Sequence, residues 1–491
     1  MIDHDFAVIS PLVAAIAVAV AVLLADIVAP GRRTVAIGVS LVGLGIVAAV
    51  TLWAHGYVGT GDGSAFGGVY RLDALTTFLD LLFVSIVALT IVFAPDYLVP
   101  RGLPLAEFAV VLIFAMTGAM LLSAATDLLL LFLGLELMVL PGYMLAAYHK
   151  TDGYSTEGAI KYFLLGSFSS AIFLFGLAFV WGLTGTTRVD EVAAVLGGVA
   201  AGEMAFSPAL AMGFAFMTTG VAFKIAAVPF HYWTPDAYQG SPTPVTGYLS
   251  VGPKVGAFAL ILRLFVEALG PLKADWLPVV IVLAALTMTL GNLVALTQDN
   301  VKRMLAYSSI AHTGYMLVGL AAFAGGQQLG LEGLLFYGAA YSFMNLGAFA
   351  VIAALQKRLG VTSNLSTFAG LVRREPTLAI LMTLFLLSLT GIPPTAGFFG
   401  KFYVILAAVQ AGGWLTVLAV LAVLNAAAAA FYYLRVVVYM FMREPTTEAG
   451  TLGHGRLVWA GLAVTTVLTI VFGILPGLIL DIVGDAARAV G

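Results

Sequence analysis

Not one of the 491 residues is cysteine. That excludes disulfides, thiolate zinc sites and cysteine-ligated iron–sulfur clusters. Charge is nearly as scarce, at 10% of residues, where a soluble domain carries about 25%. A chain this poor in charge cannot keep a water-facing surface, which excludes soluble enzyme folds. The net charge of −3 gives no sign of a nucleic-acid partner. What the sequence has in excess is apolar: 61% hydrophobic residues and a mean hydropathy of +1.06. A hydrocarbon core about 30 Å thick needs about 20 apolar residues per helix, and such runs recur from end to end. They are continuously apolar rather than alternating, which excludes a β-barrel. The expectation is an all-α polytopic membrane protein.

Hydropathy predicts fourteen spans: 8–29, 34–54, 72–93, 105–125, 127–148, 157–183, 208–236, 243–266, 276–297, 302–323, 331–355, 377–411, 414–440 and 456–480. The longest connections, 55–71 and 184–207, are too short to form a domain. The first run follows Asp3 and Asp5 rather than a basic start and is as long as a spanning helix. It therefore reads as span 1, not as a cleavable presequence. Orientation follows from Lys and Arg. With the N-terminus outside, thirteen of them fall at cytoplasmic ends, including Arg32, Arg33, Lys302 and Arg303. Five fall on the other side: Arg71, Arg188, Arg263, Lys273 and Arg488. The positive-inside rule then puts both termini on the non-cytoplasmic side.

Spans 7 and 12 are abnormal. Span 7 carries Lys224 and then Pro229, and span 12 contains Gly391-Ile392-Pro393-Pro394 before Gly397, Gly400 and Lys401. Proline removes a backbone donor and breaks the ladder. Unwound backbone at membrane depth is tolerated only inside protein or along a wet cavity. Both spans are expected to be discontinuous, and each is fourth in a block of five. Interrupted helices at matching places in two halves point to an ion site, and an odd helix number gives the two blocks opposite topology. The expected organisation is spans 1–3 over residues 1–104, an inverted repeat of spans 4–8 over 105–270 and spans 9–13 over 271–440, and span 14 within 441–491.

Four ionisable residues lie mid-span: Glu136, Lys224, Lys254 and Lys401. Each charge at a helix centre costs about 2.5–3.5 kcal/mol even on the lenient insertion scale. A carboxylate partner, internal water or loss of the charge must offset that, and all three describe a group that can take up and release a proton. The bland alternative is that these lysines snorkel or tie helices together. Three central lysines, two of them beside helix breaks, argue for the proton role. His231 and His312 are candidate relay groups, as are Tyr307 and Ser308 near His312, although a lone membrane histidine also serves as an interhelical link. Arg435, near a span end, is expected to snorkel. Glu157 and Lys161 have the i, i+4 spacing of a boundary ion pair. Neither a metal-ligand cluster nor a nucleotide-binding loop is seen.

Several long motifs carry a family resemblance. Lys224-Ile-Ala-Ala-Val-Pro-Phe-His-Tyr-Trp-Thr-Pro-Asp-Ala-Tyr with Ser241-Pro-Thr-Pro-Val-Thr is similar to the broken helix 7 region of the antiporter-like subunits of respiratory complex I. Lys302-Arg-Met-Leu-Ala-Tyr-Ser-Ser-Ile-Ala-His-Thr-Gly-Tyr resembles their helix 10. Tyr341-Ser-Phe-Met-Asn-Leu-Gly-Ala-Phe-Ala and Gly391-Ile-Pro-Pro-Thr-Ala-Gly-Phe-Phe-Gly-Lys-Phe-Tyr look most like the N-type members. The D-type subunits of multisubunit Na⁺/H⁺ antiporters are the nearest rival. The resemblance covers nearly the whole chain and implies a proton-translocating subunit of a bacterial plasma-membrane complex. By that resemblance Glu136 pairs with Lys224, and Lys254 leads on to Lys401. It also implies K-type and M-type neighbours, with FMN, iron–sulfur clusters and quinone in partner subunits and no cofactor in this chain.

Overall fold

The computed structural model describes residues 2–59, 63–202, 207–358, 360–445 and 453–490. Parts of the two long connections, 60–62 and 203–206, thus lie outside the described residues. The first three helices are α1 (Ile2–Val28), α2 (Arg33–Val58) and α3 (Ala74–Leu98). A two-stranded antiparallel hairpin, β1 (Ser64–Ala65) with β2 (Tyr70–Arg71), precedes α3. Next come α4 (Leu105–Ala124), α5 (Leu128–Ala146), α6 (Gly153–Thr184) and α7 (Val189–Ala200). The pair α8 (Pro208–Lys224) and α9 (Trp233–Gly240) precedes α10 (Thr243–Ile261), which continues as a wider π-helical segment to Ala268. Then follow α11 (Lys273–Ala295), α12 (Val301–Ala324), α13 (Gln328–Leu355) and the single turn α14 (Leu371–Arg374). A second pair, α15 (Pro376–Thr390) and α16 (Ala396–Ala411), leads into α17 (Gly413–Met442), α18 (Arg456–Ile474) and α19 (Gly477–Arg488).

Among the described residues eleven helices are long and apolar enough to cross a membrane. Helix α12 is as long as these but more polar, because it carries Lys302, Arg303, Ser308, Ser309 and His312. The two remaining crossings are the pairs α8/α9 and α15/α16. The multi-pass helical fold read from the sequence is therefore what the chain adopts, and spans 7 and 12 are the discontinuous ones.

Local chemistry sets several boundaries. Asp73, Asp127, Asp152, Ser207 and Asn300 each accept a backbone N–H of the first turn that follows, satisfying donors that a helix start leaves orphaned. Two of these caps share a further pattern. Near Asp127, Leu128 N donates to Thr187 O (2.8 Å) and Val189 N to Thr126 O (3.0 Å). Near Asn300, Val301 N donates to Ser363 O (2.7 Å) and Leu365 N to Asp299 O (2.7 Å). In both places the start of one helix is stapled to the segment that follows the next.

Helices α10 and α13 are enclosed on every side, whereas only about a third of the apolar window of α11, α17 and α18 is buried. An all-round apolar helix with an uncovered face belongs against lipid. Two amphipathic helices depart from the hydropathy reading. α7 occupies a stretch read as loop, and α19 follows a stop at Leu475-Pro476, so span 14 ends at Ile474 rather than 480. Asp481 and Asp485 break the apolar run without breaking the helix.

Candidate proton-relay site

The first interruption begins directly after Lys224. Ile225 to Tyr232 leave the helical path, Ala226 sits at φ 58, and the Val228–Pro229 bond is cis. A positive φ is rare for a residue with a Cβ, so surrounding contacts must impose it. Val228 N donates to Thr287 Oγ1 (3.0 Å), and Trp233 Nε1 donates to the Phe223 carbonyl (3.0 Å), which also accepts the Ala226 N–H. The Trp233 ring stacks on Tyr162 at 4.3 Å. Lys224 itself points into the bundle, donating to Ser170 Oγ (2.8 Å) and reaching Tyr143 OH (3.5 Å).

The second interruption holds its lysine differently. Lys401, on α16, reaches back to the carbonyls of Leu389 (2.9 Å) and Thr390 (2.7 Å) at the end of α15. The negative end of a helix dipole is where a cation is stabilised. Its ammonium also lies 4.9 Å from the Tyr315 ring centre. Lys224 precedes its break and Lys401 follows its own, yet each belongs to the end of the first half-helix. Between them, Lys254 on α10 donates to both the Ser309 carbonyl and its hydroxyl (2.6 Å each). Among the described residues none of these three lysines is in a salt bridge. All three are buried and held by neutral oxygens.

Thr313 joins the first break to Lys254. Its hydroxyl lies 2.9 Å from the Ile225 carbonyl and 3.2 Å from the Ser309 carbonyl that Lys254 also uses. Beyond Lys254, Ser308 and His312 share the Tyr433 hydroxyl, and His312 Nδ1 meets Tyr337 OH at 2.7 Å. Asn292 accepts from Tyr432 (3.0 Å) and donates toward Tyr315 (3.4 Å), the ring under Lys401. Buried hydroxyl, amide and imidazole groups thus populate the space between Lys254 and Lys401.

Glu136, on α5, is half-buried, and its Oε1 has no partner among the described residues. It lies near enough for its charge to act on Lys224 and Tyr143, but it does not form the close ion pair that the family resemblance implied. His231, within the first break, and Tyr307, beside Ser308 on α12, have rings 6.5 Å apart, and His231 Nδ1 has no partner among the described residues. Lys161 pairs with Glu157 (2.7 Å) as the spacing predicts, and also with Asp236 (2.8 Å). Arg435 reaches the loop just past α11, donating to the Leu296 carbonyl (3.2 Å) and to the Gln298 carbonyl, with the exposed Asp299 carboxylate 3.9 Å away.

Three groups escaped the sequence reading. Lys302, read as a cytoplasmic boundary charge, is 3% exposed and donates to the Ser241 carbonyl at the end of α9 (2.5 Å). Arg263, read as an outer-side charge, is completely buried among Asp73, Glu267 and Ser123. Asp80, alone in the apolar run of α3, is also completely buried. The signal for Asp80 was present, since it interrupts Phe78-Leu79-Asp80-Leu81-Leu82 as Glu136 interrupts its own run. Nothing in the sequence distinguishes Lys302 from an ordinary first-turn lysine. Among the described residues no cluster of three metal-ligating side chains occurs.

Paired interrupted helices with lysines buried beside the breaks define a multi-pass membrane protein of the antiporter-like fold. The family described as NADH:quinone oxidoreductase/Mrp antiporter, transmembrane, matches residues 125–425. The NADH-quinone oxidoreductase subunit N of Trichlorobacter lovleyi is 44% identical over 453 residues, 92% of this chain and 90% of its own length. A chain of respiratory complex I from Thermus thermophilus, solved with bound aureothin, matches at TM-score 0.77 and 32% identity, covering 96% of this chain and 98% of that one. A chain of the Mrp complex from Dietzia superposes at TM-score 0.84 over 100% of this chain and 98% of its own, with 22% identity, a likeness of fold alone. This chain belongs to the NADH:quinone oxidoreductase/Mrp antiporter membrane family, and the resemblance to its N-type members is borne out.

Proposed function

We propose that the chain is a proton-translocating membrane subunit of an NADH–quinone oxidoreductase. Protons move through Glu136, Lys224, Lys254 and Lys401, with Ser308 and His312 as relay groups and His231 and Tyr307 near one end. The observation that carries this reading is the state of the three lysines: buried, beside or between helix breaks, and held only by neutral oxygens. An ammonium without a fixed counter-ion can give up its proton without stranding a carboxylate. Glu136, nearby but not in contact, supplies the charge whose approach or withdrawal changes Lys224's hold on a proton. Moving one charge against 100 mV costs about 2.3 kcal/mol, and making or breaking one buried ion pair is of that size.

The energy comes from quinone reduction in neighbouring subunits, of K-type and M-type, in a complex that holds FMN, iron–sulfur clusters and quinone. The setting is the bacterial plasma membrane with both termini outside. The two stapled helix starts support an inverted repeat, 105–270 with 271–440. Asp127 corresponds to Asn300, and nine residues further on Glu136 corresponds to Ser309, the acceptor of Lys254. Reconstituted complex with Lys224→Ala or Glu136→Ala is expected to reduce quinone while pumping fewer protons. Pumping at the wild-type ratio would remove these residues from the path. The matching family, whose description also names the Mrp antiporter, supports a second reading, a D-type subunit of a multisubunit Na⁺/H⁺ antiporter. Co-purification with flavin and iron–sulfur proteins decides between the two.

A further inference from the structure

The lysine axis leaves a second set of charges unused, around the start of α3 and the π-helical end of α10. Asp80 on α3 is fully buried. Its Oδ1 accepts the Ser123 hydroxyl at 2.8 Å, and its Oδ2 has no partner among the described residues. The Tyr70 hydroxyl, brought beside it by the short hairpin, is likewise buried and unpartnered. Arg263 is fully engaged elsewhere: with Asp73 (2.8 Å), the Thr76 hydroxyl (3.0 Å), Glu267 (2.5 Å) and the Ser123 carbonyl (2.8 Å). Arg71 pairs with Asp73 and Glu267. His55 on α2 faces this cluster through Thr77 at 3.1 Å. Asp73 and Glu267 therefore balance Arg71 and Arg263, which leaves Asp80 with no cation in contact among the described residues.

A carboxylate sealed from water with no cation in contact is strongly disfavoured, whereas the neutral acid removes the charge and gives Oδ2 a hydrogen to donate. We propose that Asp80 is a proton-binding site, holding its proton as a neutral carboxylic acid and exchanging it with the polar vestibule beside Arg71 and Glu267. That vestibule, about 300 Å³, is also lined by Thr126, Arg188 and Asp190. Ser123 connects the two: its hydroxyl holds Asp80 and its carbonyl holds Arg263, which in turn holds Glu267 at the vestibule wall. In the exchange a hydronium in the vestibule gives its proton to Asp80 Oδ2 and leaves water. The reverse step returns it, and no electrons move. Any use of this proton in transport rests on the relay reading above; its presence on Asp80 does not.

Infrared difference spectra of the intact membrane complex, recorded on exchanging H₂O for D₂O, test the assignment. Wild type is expected to show the carbonyl band of a protonated carboxyl, shifted by deuteration and missing from Asp80→Asn. Ser123→Ala, which removes one hydrogen bond from the same carboxyl, is expected to keep the band and displace it. The same band in wild type and Asp80→Asn overturns the proposal, and so does an unmoved band in Ser123→Ala. The Ser123→Ala arm decides alone if Asp80→Asn does not assemble. Normal pumping by Lys224→Ala would sink the relay and leave these spectra unchanged.

Discussion

The Thr313 hydroxyl donates to the Ile225 carbonyl at 2.9 Å, binding α12 to the first residue beyond Lys224. The same hydroxyl touches the carbonyl that anchors Lys254. Thr313→Val keeps the shape and removes the hydroxyl. We expect a loss of about 1 kcal/mol in stability, and a fall in protons pumped per quinone reduced that exceeds any fall in quinone reduction. Proteoliposome pumping assays alongside quinone reductase rates check it.

Among the described residues Lys401 is the one side chain that donates to the Leu389 and Thr390 carbonyls at the end of α15. Lys401→Met should leave both without that donor, at a cost of about 1–3 kcal/mol. Lys401→Arg keeps a cation there and should be milder. Thermal unfolding of the assembled complex ranks them, and equal melting temperatures for the two variants would contradict the capping role.

Gly397 stands where α16 crosses the end of α15. Its N–H donates to Ser388 Oγ at 3.1 Å, and a Cβ there would run into the Ser388 carbonyl. Gly397→Ala should cost about 1–3 kcal/mol through overpacking and lower the yield of assembled complex. Gly338, where a Cβ meets nothing, is the control position.

Asp73, just ahead of α3, responds to pH in a defined direction. Burial raises its pKa, but Arg263 and Arg71 together with the Thr76 N–H outweigh that and bring it below the ordinary carboxylate value. A lowered folded pKa means stability that is complete above the unfolded value, about 3.9, and lost as pH falls through the lower folded one. The stability difference between wild type and Asp73→Asn should therefore be constant above that range and shrink below it. Unfolding midpoints of the complex against pH measure this.

The lack of native cysteine makes sidedness directly readable. A membrane-impermeant maleimide applied to right-side-out vesicles should label Arg488→Cys and spare Arg358→Cys. The opposite pattern would invert the topology inferred from Lys and Arg.

The sequence revealed what the membrane makes expensive. Lys224, Lys254, Lys401 and Glu136 stood out because each interrupts an apolar run, and Pro229 and Pro393-Pro394 marked the breaks. Lys302 did not, because a lysine in a first turn looks the same whether it meets water or the Ser241 carbonyl, and only packing tells them apart. Helix α7 was hidden because an amphipathic segment among glycines falls below the hydropathy of a span. The matched register of the two halves was also illegible in the lysines, which sit on opposite sides of their breaks. What the backbone bonds at Asp127 and Asn300 add is a like pattern at two helix starts, which supports the repeat proposed above.

Along their apolar windows helices α10 and α13 are wholly buried within the bundle. Both carry polar groups, Lys254 in one and Asn345 in the other, that bare hydrocarbon would reject. During synthesis neither could rest alone in the bilayer at low cost, so each must be sheltered until its neighbours emerge. Biogenesis of this chain is therefore a collective event: truncations that end soon after either helix should be handed to quality-control proteases rather than accumulate as partial bundles.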